Sequence, residues 1–116
     1  MRELPLTVTP LSTTIPGCRV LKLDGPLLLG NLFEFQNFVR ADRMTNLIVD
    51  MSGVPYIDSA GIGCLMNGYV SHQNAGKSLS LVGVTERVRT ALSVTKVEQF
   101  FPTFASIAEA QQGHAA

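Results

Sequence analysis

Residues 46–52, NLIVDMS, are a short continuous apolar run, and a different period takes over shortly after it. A run of this kind reads as a strand buried on both faces. Ile62, Leu65, Met66, Tyr69 and Val70 then recur at i, i+3, i+4, i+7 and i+8. That spacing predicts an amphipathic helix from about Ser59 to about Asn74. A strand hidden on both sides must be covered by other elements, so the pair calls for a sheet with helices packed on it.

The alternation extends along the chain. LTVTP (6–10) alternates apolar residues with Thr and reads as a half-exposed strand. CRVLKLDG (18–25) reads as a second strand stopped by Gly25, after the turn-rich loop STTIPG. In GNLFEFQNFVRAD (30–42), Leu32, Phe35, Phe38 and Val39 define one helix face. Gly76 in NAGK suits a left-handed helix C-terminus. SLSLVGV (78–84) is another strand, and Thr85 is placed to cap a helix with Val88, Ala91 and Leu92 inward. VEQFF (97–101) is a last short strand or a turn. TFASIAEAQQ (103–112) is a final helix with Phe104, Ile107 and Ala108 inward. The expectation is one α/β domain over 1–112, a mixed, mostly parallel four- to five-stranded sheet with about four helices packed on it. GHAA (113–116) is expected as a flexible tail.

A chain of 116 residues is long enough for a proper core. Lys and Arg total 9, as do Asp and Glu, so no net charge steers it toward nucleic acid or acidic lipid. No apolar run approaches the ~20 residues that cross a bilayer. MRELPLTV lacks the apolar stretch of a signal peptide. These features point to a cytoplasmic protein with no membrane insertion and no direct nucleic-acid binding. Cys18 and Cys64 form no CxxC; a disulfide is open in principle, but two small buried thiols are favoured.

The stretch YIDSAGIG (56–63) places Asp58 and Ser59 at the start of the central helix and follows them with Gly61 and Gly63. The plainest reading is a cap worth ~1 kcal/mol. Each glycine costs ~1 kcal/mol relative to Ala in a helix, which cancels that gain. Something therefore wants a bare backbone there, either a neighbouring element or another molecule. Ser59, beside Ala60 and Gly61, is sterically open, and a helix N-terminus tolerates negative charge. Ser59 is thus a residue that can be phosphorylated without unfolding the domain.

Enzyme chemistry finds no support. His72 follows Ser59 by 13 residues, roughly 20 Å along a helix, too far to serve as its base. It is expected as a solvent-facing residue near the helix C-terminus. GxSxG fails because position 57 is Ile57, and GxGxxG from Gly61 fails at Met66. Two histidines and two cysteines, all isolated, make no zinc site. Arg87 and Arg89 read as a solvated helix face. No catalytic residue, metal or cofactor is expected.

LIVDMSGVPYIDSAGIGCL (47–65) resembles the signature of STAS domains, the family of bacterial anti-sigma factor antagonists. Asp50, Ser52, Val54, Ile57, Asp58, Ser59, Gly61, Ile62 and Leu65 match its pattern. A looser similarity covers nearly the whole chain. The resemblance implies a partner-switching protein. Unphosphorylated, it would bind an anti-sigma factor with serine kinase activity and free the sigma factor. Phosphorylation of Ser59 would end binding, and a phosphoserine phosphatase would reset it. The partner surface implied is Asp58, Ser59, Ala60, Gly61, Gly63 and Leu28. Asp58 either caps the helix, or positions Ser59 or contacts the partner's kinase site. Leu28 stands where many members carry Asp, so PLLL (26–29) is either core or an exposed interaction patch. The rival expectation is a constitutive scaffold module of a stress-signalling or transport-regulating complex. Homodimerisation is left open.

Overall fold

The computed structural model describes residues 5–115, with side chains described through Gln112. Part of the N-terminal stretch read above, residues 1–4, and Ala116 of the tail lie outside the described residues. Five strands form one sheet in chain order: β1 (Thr7–Leu11), β2 (Cys18–Asp24), β3 (Asn46–Gly53), β4 (Ser78–Val82) and β5 (Thr103–Phe104). β1 runs antiparallel to β2, and the other neighbours are parallel. The helices are α1 (Phe33–Ala41), α2 (Ser59–Asn74), α3 (Glu86–Val94) and α4 (Ile107–Ala115), with a 3₁₀ turn at Glu98–Phe100.

The strand order explains the layers. Each parallel step moves one strand further in the same direction, and right-handed crossovers then set α1, α2 and α3 on one face. Leu47, Val49 and Met51 of β3 point there and meet Phe35, Val39, Leu65, Val88 and Leu92 in the main core. Ile48 points to the other face and packs with Cys18, Val20, Val82 and Ala110 beneath α4. β3 is therefore covered on both sides, as its continuous apolar run requires.

Several expectations shift. Of the two readings of 97–101 the turn holds, as the 3₁₀ turn Glu98–Phe100, and the last strand is Thr103–Phe104. α4 begins later than expected because Ser106 Oγ accepts from the Glu109 amide while the Glu109 carboxylate accepts from the Ala105 amide, a reciprocal cap. Ala110 is then the inward alanine and Ala108 is exposed. α4 also runs on through Ala115, into the stretch expected as tail. Thr85 sits at the cap position of α3, but its hydroxyl donates to the Val54 carbonyl at 2.9 Å and does not cap the helix. Gly76 adopts φ +74° after α2, the left-handed conformation expected of it. Both cysteines are free and buried.

Candidate functional site at the start of the central helix

The site lies at the carboxyl ends of the parallel strands, where open α/β sheets place their functional loops. Two segments meet there. The loop after β2 runs beside the segment after β3 as a one-residue extension of the sheet, a parallel bridge between Leu27 and Ile57. The Leu27 amide donates to the Tyr56 carbonyl at 3.2 Å, and the Asp58 amide donates to the Leu27 carbonyl at 3.3 Å. The strand ends are shaped by local polar contacts. Asp50, buried near the end of β3, accepts from the Ser52 amide at 3.0 Å and from its hydroxyl at 2.7 Å. This short-range turn of the chain explains the Asp-x-Ser spacing without invoking a ligand.

Asp58 uses both carboxylate oxygens. Oδ1 accepts from the Gly61 amide at 2.8 Å, the N-cap bond of α2. Oδ2 accepts from the Leu29 amide at 3.1 Å. One side chain thus starts the helix and ties the β2–α1 loop to it. Ser59 is the first helical residue and is exposed. Ala60 is half-buried against the core.

The two glycines have different reasons. Gly61 is buried, and a Cβ there would overlap the Leu27 carbonyl and the Ile57 side chain. Its bare backbone serves the neighbouring loop of the same chain. A Cβ at Gly63 would meet nothing within 4 Å. Of the pair, Gly63 leaves open surface.

PLLL (26–29) divides. Leu27 is fully buried core, and Leu28 is half-buried with its amide donating to Asn31 Oδ1 at 2.9 Å. Leu29 is 64% exposed and Phe33, at the start of α1, is 62% exposed. The apolar surface offered beside α2 is therefore carried by Leu29, with Leu28 contributing little. The sequence offers Leu29 only as part of PLLL and does not point to Phe33, except that Phe33 stands outside the Leu32–Phe35–Phe38–Val39 face. Arg87 is not simply solvated either, since its guanidinium lies 5.1 Å from the centre of the Tyr56 ring. Arg89 stands 3.8 Å from Glu98, both partly exposed.

His72 departs from expectation. It is 5% exposed, with Nδ1 2.9 Å from the Gly68 carbonyl and Nε2 3.3 Å from Asp42 Oδ2. Helix α2 buries the ridge Gly61–Cys64–Gly68–His72. Glycine at 68 lets Val39 and Leu79 come close, and His72 follows one turn on along that ridge. Val70, expected inward, is turned out. Among the described residues no group of three His, Cys, Asp or Glu is placed to hold a metal. None of their helices is long and apolar enough to cross a membrane.

The STAS domain family model matches residues 9–110. The chain belongs to the STAS domain family. The STAS domain is a non-catalytic regulatory module. This STAS domain is similar to an anti-sigma factor antagonist from Mycobacterium paratuberculosis (TM-score 0.83, 18% identity, 96% of this chain and 95% of that one). It is also similar to the anti-sigma factor antagonist SpoIIAA in its unphosphorylated form (TM-score 0.75, 12% identity, 95% and 98% covered). A third likeness is to a sulfate transporter family protein from Wolinella succinogenes (TM-score 0.78, 23% identity, 89% of each chain). At these identities the likenesses establish the shared fold.

Proposed function

We propose that this STAS domain is a cytoplasmic anti-sigma factor antagonist whose switch is Ser59. Unphosphorylated, its α2 N-terminus docks on an anti-sigma factor with serine kinase activity and so releases the sigma factor. Phosphorylation of Ser59 ends docking, and a phosphoserine phosphatase restores it. One observation carries the reading: Ser59 is exposed at the first helical position, while the capping that position requires is done by Asp58. Among the described residues no contact requires the Ser59 hydroxyl, which leaves it to a partner. A phosphoryl group adds about −1.5 to −2 charges there. Placed within a docked interface, it acts by repulsion and bulk, and each ~1.4 kcal/mol lost weakens binding tenfold. Gly63 leaves room for a partner to approach, and Leu29 offers an apolar contact nearby.

The test begins with phosphopeptide mass spectrometry on protein from its native cells, grown and stressed. A phosphoryl group on Ser59 that rises and falls with conditions supports the switch. Binding to the captured partner should then be weakened by Ser59→Asp and kept by Ser59→Ala. Equal binding by both variants would sink the reading. It would favour a second one, a constitutive assembly module, for which exposed Leu29 and Phe33 supply a contact surface that needs no modification.

A further inference from the structure

The opposite end of α2 holds a buried polar pair that the proposed switch does not use. Asp42 follows α1, and its side chain is 2% exposed; His72 lies in the last turn of α2, with its side chain 5% exposed. The His72 ring meets oxygen at both nitrogens. Nδ1 is 2.9 Å from the Gly68 carbonyl, which can only accept, so Nδ1 carries a hydrogen. Nε2 is 3.3 Å from Asp42 Oδ2, and an ionised carboxylate also only accepts. A neutral ring has one N–H and cannot donate to both.

We infer that His72 is a protonation-dependent latch, which in its doubly protonated form fastens the C-terminal end of α2 to the segment joining α1 and β3. The elements packed around it bring further charges. Arg19 of β2 places Nε 3.7 Å from Asp42 Oδ1, an oxygen with no hydrogen-bond partner among the described residues. Arg40 of α1, Arg43 after it and Lys77 before β4 line the same cleft, of ≈ 120 Å³, as Asp42 and His72. Those three cations oppose a charged ring. The Asp42 carboxylate, the Gly68 carbonyl and the negative end of the α2 dipole favour it. The cations are at the rim, whereas the two acceptors touch the ring nitrogens.

The sign follows. With the ring doubly protonated, both acceptors are satisfied. When one N–H is lost, a bare nitrogen faces a carboxylate oxygen. The latch is closed while both ring nitrogens carry hydrogen and opens when one is lost. The Ala75 and Lys77 amides both donate to the His72 carbonyl, at 3.1 and 2.7 Å, and report on closure.

Two measurements on the full chain decide it. Long-range ¹H–¹⁵N spectra of the His72 ring should show both nitrogens protonated on the acid side while the protein is folded. Amide exchange at Lys77, corrected for the intrinsic rate, should lose about tenfold in protection as the ring deprotonates. In His72→Gln that pH dependence should vanish. A ring with a single N–H throughout the folded range overturns the latch. So does the same pH dependence in wild type and His72→Gln. If that variant fails to fold, the wild-type ring spectrum alone decides.

Discussion

The carbonyl of Leu27 occupies the space that a side chain at position 61 would need. The β2–α1 loop and the first turn of α2 are therefore packed backbone to backbone, with the Asp58 amide donating to that same carbonyl. Asp58 then reaches outward to the Leu29 amide and inward to the Gly61 amide. The start of α2 is held from two directions, and exposed Ser59 lies immediately beyond the residue that holds it.

Gly61 and Gly63 should respond oppositely to alanine. Gly61→Ala forces backbone apart at the Leu27 carbonyl and should cost about 1–3 kcal/mol, the usual range for overpacking. Gly63→Ala adds a methyl in open space within a helix and should gain up to about 1 kcal/mol. Urea unfolding of both variants checks this. A Gly61→Ala protein as stable as wild type would refute the packing argument.

Asp58 variants should rank in order. Asp58→Ala removes the cap and the loop tie together and should cost about 1–3 kcal/mol, a cap plus one hydrogen bond. Asp58→Asn keeps one acceptor oxygen but turns an NH₂ toward the second amide, so it should fall between alanine and wild type. Thermal unfolding of the three proteins gives the order. The Leu29 amide should also exchange faster in Asp58→Ala; unchanged exchange there would remove the loop tie from the account.

Much of this was legible because periods of two and 3.6 residues report burial directly. The bounds of α2, Ser59 to Asn74, follow from its periodicity together with Asp58 and Gly76. What escaped lies where small residues make the contact. The large apolar side chains of α2 suggest a stripe that includes Val70 and leaves His72 exposed, but Gly61, Cys64 and Gly68 form the close-packed ridge, so His72 is buried and Val70 is turned out. The role of Gly61 was half legible: a bare backbone was required, yet only the fold reveals that Leu27 of the same chain requires it. The reciprocal Ser106–Glu109 cap was written in the sequence as S-x-x-E and sets the start of α4.

Both thiols should be slow to react and should make stability fall in alkali. Burial pushes the Cys18 thiol above its ordinary range; the Asp42 charge adds to this, and a hydrogen bond from Gln111 partly offsets it. Burial raises the Cys64 thiol as well, with Arg40 opposing. A thiol whose folded pKa lies above its unfolded value favours folding below the unfolded value. That contribution declines as pH climbs past the ordinary thiol range toward the folded value. Native protein should react with a disulfide reagent far more slowly than urea-unfolded protein. The alkaline decline in stability should shrink in a Cys18→Ala, Cys64→Ala double variant; an undiminished decline would assign it to other groups.

Ser59→Asp should leave the fold nearly untouched. A carboxylate at the first position of α2 gains about 0.3–1 kcal/mol from the helix dipole. Asp58 next to it works against this gain by like-charge repulsion, screened because Ser59 is exposed. The two effects are similar in size, so the expected net change is within about 0.5 kcal/mol, as for surface substitutions generally. Ser59→Ala should be equally neutral, because the cap bond comes from Asp58 and not from the serine. Urea midpoints for both variants provide the check. If Ser59→Asp proved destabilising by several kcal/mol, loss of partner binding in that variant would report unfolding, and the phosphorylation argument would lose its footing.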